Sequence, residues 1–368
     1  MGPNGIGKSN LLDALRFISD IARSGGGLSL ALASRGGLEK IKFAAAKNKD
    51  LVELTIHLAD SPLSGTYYRY SLGLTNDKSG ASRLAYERVL RSGELILDRP
   101  NRDDASDPLR LASTYLERAD SIKSGSDPDI KEITTFLGSI RYLNFMPELF
   151  RCQDPFPPAD VPGDPYGRKI LQRAVELHHS ERDRRIKVIE DVLKIAVPQM
   201  PKFRFSVSSS GDPRLEGTFD IGRPRTKHLQ DQLSDGILSA FAILWSFLEE
   251  GPLLLLDKPE ANLNRGTIHH ICLIMYLSTV MGQKKQLIMS THSAEFLKDN
   301  INPVKPQEII LLRFGDNNEG TTALLASSVP PIIRDMKKGM RADEIILDYA
   351  QPVNLMDEFL EFMGLDQS

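Results

Sequence analysis

"GPNGIGKS", residues 2–9, sits at the start of the chain and decides how the rest is read. It fits G-x-x-x-x-G-K-[ST], in which each residue type has a physical task. Gly2, Asn4, Gly5 and Gly7 let successive backbone N–H groups turn toward a run of phosphates. Lys8 brings a cation to the β- and γ-phosphates, Ser9 brings a hydroxyl to Mg²⁺, and Asn10 continues the cradle. The following "NLLDALRFISDIA" (10–22) has apolar residues at three- and four-residue spacing, which predicts a helix with its positive end at the anion. Such a pattern arises by chance in about one chain in a hundred of this length, so a plain glycine turn ahead of a helix is the weaker reading. The expected cofactors are ATP and Mg²⁺. A P-loop ordinarily follows a buried strand. Met1 directly precedes Gly2, so that strand is expected to be missing and its neighbours unpaired.

Working outward, "GPLLLLDKPEANLN" (251–264) reads as a buried strand that ends in Asp257, a candidate Mg²⁺ ligand. The next position is where an acid would activate water, and it holds Lys258. An ammonium has three donors and no acceptor. Serving as a base would require a depressed pKa, and nearby phosphates push it the other way. Losing a general base costs about 10²–10⁴-fold in rate. Glu260, two residues on, is a weak candidate to take over, and its plainer reading is structural. "LSDG" (233–236) precedes an apolar helix. Ser234 is a good N-cap, and with Asp235 and Gly236 it makes a helix-terminal anion site that could face the γ-phosphate of a second subunit. "STHS" (290–293) follows the strand "KQLIM" and sets His292 as a candidate γ-phosphate sensor. His178–His179 and His269–His270 are adjacent pairs, which point about 100° apart on a helix and read as structural.

The rest of the chain supplies the frame. "LVELTIHLAD", "TYYRYSLGLT", "SRLAYERVLRS" and "GELILD" alternate as antiparallel strands. "RSGGGLSLALASRGG" (23–37) reads as a glycine-rich connection. Residues 98–135 read as loops and short helices, 147–167 as a proline-rich loop and 168–197 as helix with a solvated "HHSERDRRIK" face. "KFRFSVSSS" and "RLEGTFDI" read as a hairpin, and "GILSAFAILWSFLEE" as a buried helix. "RGTIHHICLIMYLSTVM" and "AEFLKD" read as helices, "EIILLRF" and "TTALLA" as strands. Strand–helix–strand order over 251–297 implies a parallel α/β sheet. A net charge of −3 argues against a strongly basic nucleic-acid binder but leaves room for a local basic groove. Two cysteines, Cys152 and Cys272, in no metal-like spacing fit a reducing cytoplasm. No apolar run is long enough to span a bilayer and no signal peptide is visible.

With these motifs in order, the chain resembles the ABC-type ATPase heads of the RecF/SMC-like group, often called AAA family ATPases. "GPNGIGKSNLLDAL" resembles their Walker A, "LSDG" their signature, "LLLLDKPEANL" their Walker B and D-loop, and "LIMSTHS" their switch histidine. "SRGGLEKIKF" and "IEDVLKIAVPQMPKFRF" are also similar to the group. The resemblance runs from residue 2 to about 300. It implies an α/β P-loop NTPase head with an antiparallel β subdomain and an inserted helical lobe, as a single unit over 1–368. Residues 1–98 would hold the P-loop, first helix and β subdomain, 99–250 the helical lobe ending in the signature helix, and 251–368 the Walker B and switch parts. It also implies a homodimer with ATP sandwiched between heads, Ser234 and Gly236 acting across it, a separate effector protein, and DNA as a further partner. The sequence departs from the group at Lys258, where glutamate is expected, at Asn264–Arg265, where His-Pro is common, and at Ile237–Ser239, where Thr-Leu-Arg is common. Two functions follow: a weakly hydrolysing ATPase whose dimerisation drives a partner, or a silent nucleotide-holding scaffold. A nuclease has little support, with no acidic metal cluster read after His292.

Overall fold

The computed structural model describes residues 1–42, 51–59, 66–118, 127–151, 161–196, 202–219, 226–269, 271, 285–297, 304–315, 320–341 and 344–346. Cys152, Cys272, His270, the middle of the proline-rich stretch and most of the helix expected over 265–281 lie outside these residues.

Helix α1 (Lys8–Ala22) follows the P-loop and buries Leu12, Phe17, Ile18 and Ile21 along one stripe, as its spacing predicts. The glycine-rich connection expected over 23–37 instead contains helix α2 (Leu28–Ala33), and α3 (Leu38–Ile41) comes directly after it. The glycines stand outside these helices. Gly27 and Gly37 are their N-caps, with φ of 121° and 92°, while the intervening "LSLALA" buries Leu28, Ala31 and Leu32. The four alternating segments then form β1 (Val52–Ala59), β2 (Tyr67–Asn76), β3 (Ser82–Arg91) and β4 (Glu94–Arg99), an antiparallel sheet in that order.

Helices α4 (Arg102–Ser106) and α5 (Pro128–Gly138) lead into β5 (Arg141–Leu143), which pattern reading did not reveal. Three residues are too few to show a period. Helices α6 (Pro147–Arg151), α7 (Ile170–Glu176) and α8 (His179–Ala196) come next. The helix expected over 168–197 is therefore interrupted at Leu177–His178. Its charged stretch carries the exposed pair Lys187–Asp191 and the pair Arg184–Glu181, but Arg185 is buried over the Trp245 ring. The expected hairpin gains a third strand, making β6 (Lys202–Val207), β7 (Pro213–Phe219) and β8 (Thr226–Leu229). Helix α9 (Asp235–Leu248) buries Trp245 and Phe241 completely.

Strands β9 (Leu253–Asp257) and β10 (Gln286–Ser290) are parallel, and β5 lies parallel on the other side of β9. The run of leucines is explained by burial on both faces. Leu254 and Leu256 join the core built on α7, α8 and α9, while Leu253 and Leu255 join the core under α1, α5 and the antiparallel sheet. Strands β11 (Ile310–Phe314) and β12 (Thr321–Leu325) form a hairpin. The "AEFLKD" segment begins as a single 3₁₀ turn, Ala294–Phe296. Met1 donates its N–H to Ile310 O at 2.6 Å and accepts from Leu312 N at 2.8 Å, one rung of a parallel ladder with β11. Among the described residues no helix is long and apolar enough to cross a membrane.

Candidate functional site

The site is built where β9 and β10 end and α1 begins. Gly7 is the N-cap of α1, with φ of 95° and no side chain to cap the helix, and the first turn of α1 carries no acid. The leading N–H groups therefore lack the side-chain acceptor that ordinarily satisfies them, which makes an anion site. The loop is held from outside by Thr321, whose hydroxyl donates to Ile6 O at 2.7 Å. Lys8 is only 7% exposed. Its Nζ donates to Gly2 O and Pro3 O, both at 2.7 Å, leaving one of three donors.

Ser9 and Asp257, 248 residues apart, meet at 3.1 Å with the hydroxyl donating to the carboxylate. Two further donors fix that carboxylate. Ser290 Oγ shares Oδ1 through a short bond, and Tyr142 OH reaches Oδ2 at 3.1 Å. Burial and the Asp257 charge raise the Tyr142 pKa, so it stays a donor. Ser290 opens the "STHS" motif, one residue beyond the apolar run of β10. Tyr142 left no signal, because it lies on the three-residue β5.

Lys258 is exposed and left-handed at φ 51°, a conformation unusual for a residue with a Cβ. Its N–H is held by Ser290 O at 3.1 Å and Ser290 Oγ at 3.2 Å. Glu260 Oε1 accepts the His292 N–H at 2.8 Å, while its Oε2 is buried with no hydrogen-bond partner. Burial first, and the Lys258 charge second, push the Lys8 ammonium below its usual range. Desolvation, then Lys8, lower the His292 imidazole below 6.5. Lys8, Ser9, Asp257, Lys258, Glu260 and His292 thus share one site, next to the Gly2, Asn4, Gly5, Gly7 and Asn10 backbone.

Ser234, Asp235 and Gly236 do not join it. Ser234 caps α9 by accepting the Ile237 N–H at 3.4 Å. Asp235 pairs with Arg151, which also donates to Leu233 O. A Cβ on Gly236 would stand 2.9 Å from Asn262 O, so the signature turn packs on the loop after β9. Asn264 caps the helix that follows, accepting from Thr267 N at 2.9 Å. Among the described residues no hydrogen bond or ion pair joins the signature to the P-loop. No group of three or more histidine, cysteine or acidic side chains could hold a metal there either. That is consistent with Mg²⁺, which takes one or two carboxylates together with phosphate oxygens. The hydroxyl and carboxylate of Ser9 and Asp257 are hard oxygen donors of the right kind.

Residues 1–129 and 167–298 match the family described as "AAA domain, putative AbiEii toxin, Type IV TA system". No curated protein matches the chain. Among solved structures, it is similar to an Smc head bound to the C-winged helix domain of ScpA, with 15% identity, a TM-score of 0.49, and 89% of this chain and 90% of that one covered. It is also similar to an Smc head from Pyrococcus furiosus bound to the C-terminal domain of ScpA, with 15% identity, a TM-score of 0.45, and 91% and 92% covered. An SMC head from Thermotoga maritima gives 12% identity, a TM-score of 0.37, and 88% of each chain.

Proposed function

The chain belongs to the AAA-domain family that it matches, and on that premise we propose that it is a slow, Mg²⁺-dependent ATPase head. ATP held between two copies would drive a separate effector protein or a DNA transaction. The observation that carries this reading is the meeting of Ser9 and Asp257 at 3.1 Å beside Lys8. Held by Ser9 and Asp257, Mg²⁺ would supply positive charge to offset the charge that develops as the phosphoryl bond of ATP is cut. The chain's own groups do the rest. The remaining Lys8 donor and the α1 N–H groups hold phosphate oxygens. His292, largely neutral at pH 7, offers a ring nitrogen to the γ-phosphate. Ser234 and Gly236, which make no hydrogen bond to their own P-loop among the described residues, serve the other copy.

Slowness follows from the acceptor inventory. Lys258 cannot take a proton from water. Glu260 has committed one oxygen to the His292 N–H, and its unpartnered Oε2 is buried, so that oxygen must be uncovered before it can accept a proton. A silent scaffold is the second reading, favoured by that same Glu260–His292 bond, which gives Glu260 a structural job.

ATP affinity and turnover of four proteins test this: native, Lys8→Ala, Lys258→Glu and Glu260→Gln. Lys258→Glu is expected to turn over at least about tenfold faster at similar affinity. Glu260→Gln is expected to abolish the native rate. No native turnover above background selects the scaffold, and a native rate that does not respond to Glu260→Gln removes Glu260 as the base. Unchanged ATP affinity in Lys8→Ala sinks both readings.

A further inference from the structure

Helix α1 has two ends. Its start carries the P-loop, and its 15 residues span about 22 Å. At the far end Arg23 enters a cavity of about 350 Å³ that is also lined by Arg141, Lys169, Arg173 and Asp164. Arg141 begins β5, parallel to β9, so the cavity opens at the edge of the sheet opposite Asp257 and Ser290.

Among the described residues four cations and one carboxylate line this cavity, and the pairing is uneven. Arg173 is matched twice, donating to Glu249 Oε1 at 2.7 Å and Asp164 Oδ2 at 2.6 Å. Among the described residues Arg23 bonds only neutral oxygens, Ile140 O at 2.9 Å and Ser19 Oγ at 3.1 Å, and its buried Nε has no partner. Arg141 forms no ion pair among the described residues. Asp20 is close enough to act on Arg23 and favours its charge; Asp20 Oδ2 is taken by Arg35 at 3.0 Å and Arg16 at 3.5 Å, while Oδ1 is buried with no hydrogen-bond partner and does not bond Arg23. Burial, and beyond it the charges of Arg141, Arg16 and Arg173, oppose the Arg23 charge.

Guanidiniums gathered without enough carboxylates are costly unless an anion completes them. Their planar forks match phosphate oxygens. Gly163 shapes the wall. Its φ is 76°, and a Cβ there would lie 3.1 Å from Arg23 Nη2. Arg23 is half-buried behind it, so an anion must enter the cavity rather than lie across the rim. We propose that this cavity binds a compact soluble phosphate anion of about diphosphate size, held by Arg23 and Arg141, as a second anion site separate from the P-loop.

The test is calorimetric titration of pyrophosphate into the full chain carrying Lys8→Ala, which disables the P-loop, with and without Arg141→Gln or Arg141→Lys. Saturable binding at one site is expected. It should weaken at least tenfold with Arg141→Gln and less with Arg141→Lys, which keeps the charge and loses the fork. Without ligand, Arg141→Gln should melt no lower than its parent, because it removes repulsion and breaks no bond. Absence of pyrophosphate binding, or binding indifferent to Arg141, overturns the proposal. So does Arg141-dependent binding of a single-stranded oligonucleotide alone, which would make this a nucleic-acid surface.

Discussion

Arg99 and Lys8 are both buried cations, and the groups around them differ. Arg99, 2% exposed, uses all five of its N–H donors. It holds Asp104 bidentately at 2.8 and 3.0 Å, Glu87 at 3.0 Å, and the Ser113 and Arg110 carbonyls. Glu87 in turn accepts from Tyr70 OH and Tyr115 N. Lys8 bonds two carbonyls of its own loop, forms no ion pair among the described residues, and has a second cation, Lys258, near it. A closed account of charge and hydrogen bonds marks a group that holds the fold together. An open account on the positive side marks a group arranged for an anion that comes from outside. Arg23 belongs with Lys8 in this respect.

Four experiments can break or sharpen the contrast. Glu87→Ala should have the largest effect, about 3–5 kcal/mol of stability by urea unfolding, because it strips one partner from a buried charge. Its ATP affinity, measured on folded protein, should not move. Lys8→Met should do the reverse. ATP binding should weaken by about 1.5–3 kcal/mol, roughly ten- to a hundredfold, with no loss of melting temperature, since a desolvated ammonium is removed. A Lys8→Met protein as unstable as Glu87→Ala would collapse the distinction. Tyr142→Phe frees one oxygen of Asp257 and should change Mg²⁺-dependent ATP affinity by about 1 kcal/mol. Calorimetry at fixed Mg²⁺ reads that change.

The smallest effect is in pH. The Arg99 fork holds the Asp104 carboxyl below its usual 3.8. Its stabilisation is therefore complete above 3.8 and fades as pH falls through the lower folded value. Thermal melts of Asp104→Asn should fall below native near neutral pH and converge on it in acid. Glu87 has the opposite sign: burial raises its folded pKa above 4.5, so its ionisation weighs against the fold as pH rises past 4.5. Native and Asp104→Asn melts that stay parallel down to the acid limit would remove Asp104 from the network.

Much of the candidate nucleotide site was legible in order along the chain. The P-loop spacing, the leucine run into Asp257, the lysine after it and the histidine after the next strand are all local patterns, and local patterns survive in one dimension. The family match bears out the resemblance they carried. Tyr142 on Asp257, Glu260 on the His292 N–H and Thr321 on the loop were not legible, because each joins side chains to groups that no periodicity connects. Helix α2 was obscured by the glycines at its edges, and β5 by its length.

By itself the sequence determined the chemistry on offer: a phosphate cradle, a magnesium-type oxygen pair, and a cation where an acceptor is needed. Hydrogen-bonding type and charge are properties of the residue wherever it sits. The tertiary structure decided which charges are matched. Arg99, Arg173 and Arg23 are the same residue on paper. Folding gives each of the first two a pair of carboxylates and leaves the third without an ion pair among the described residues, facing other cations across a cavity.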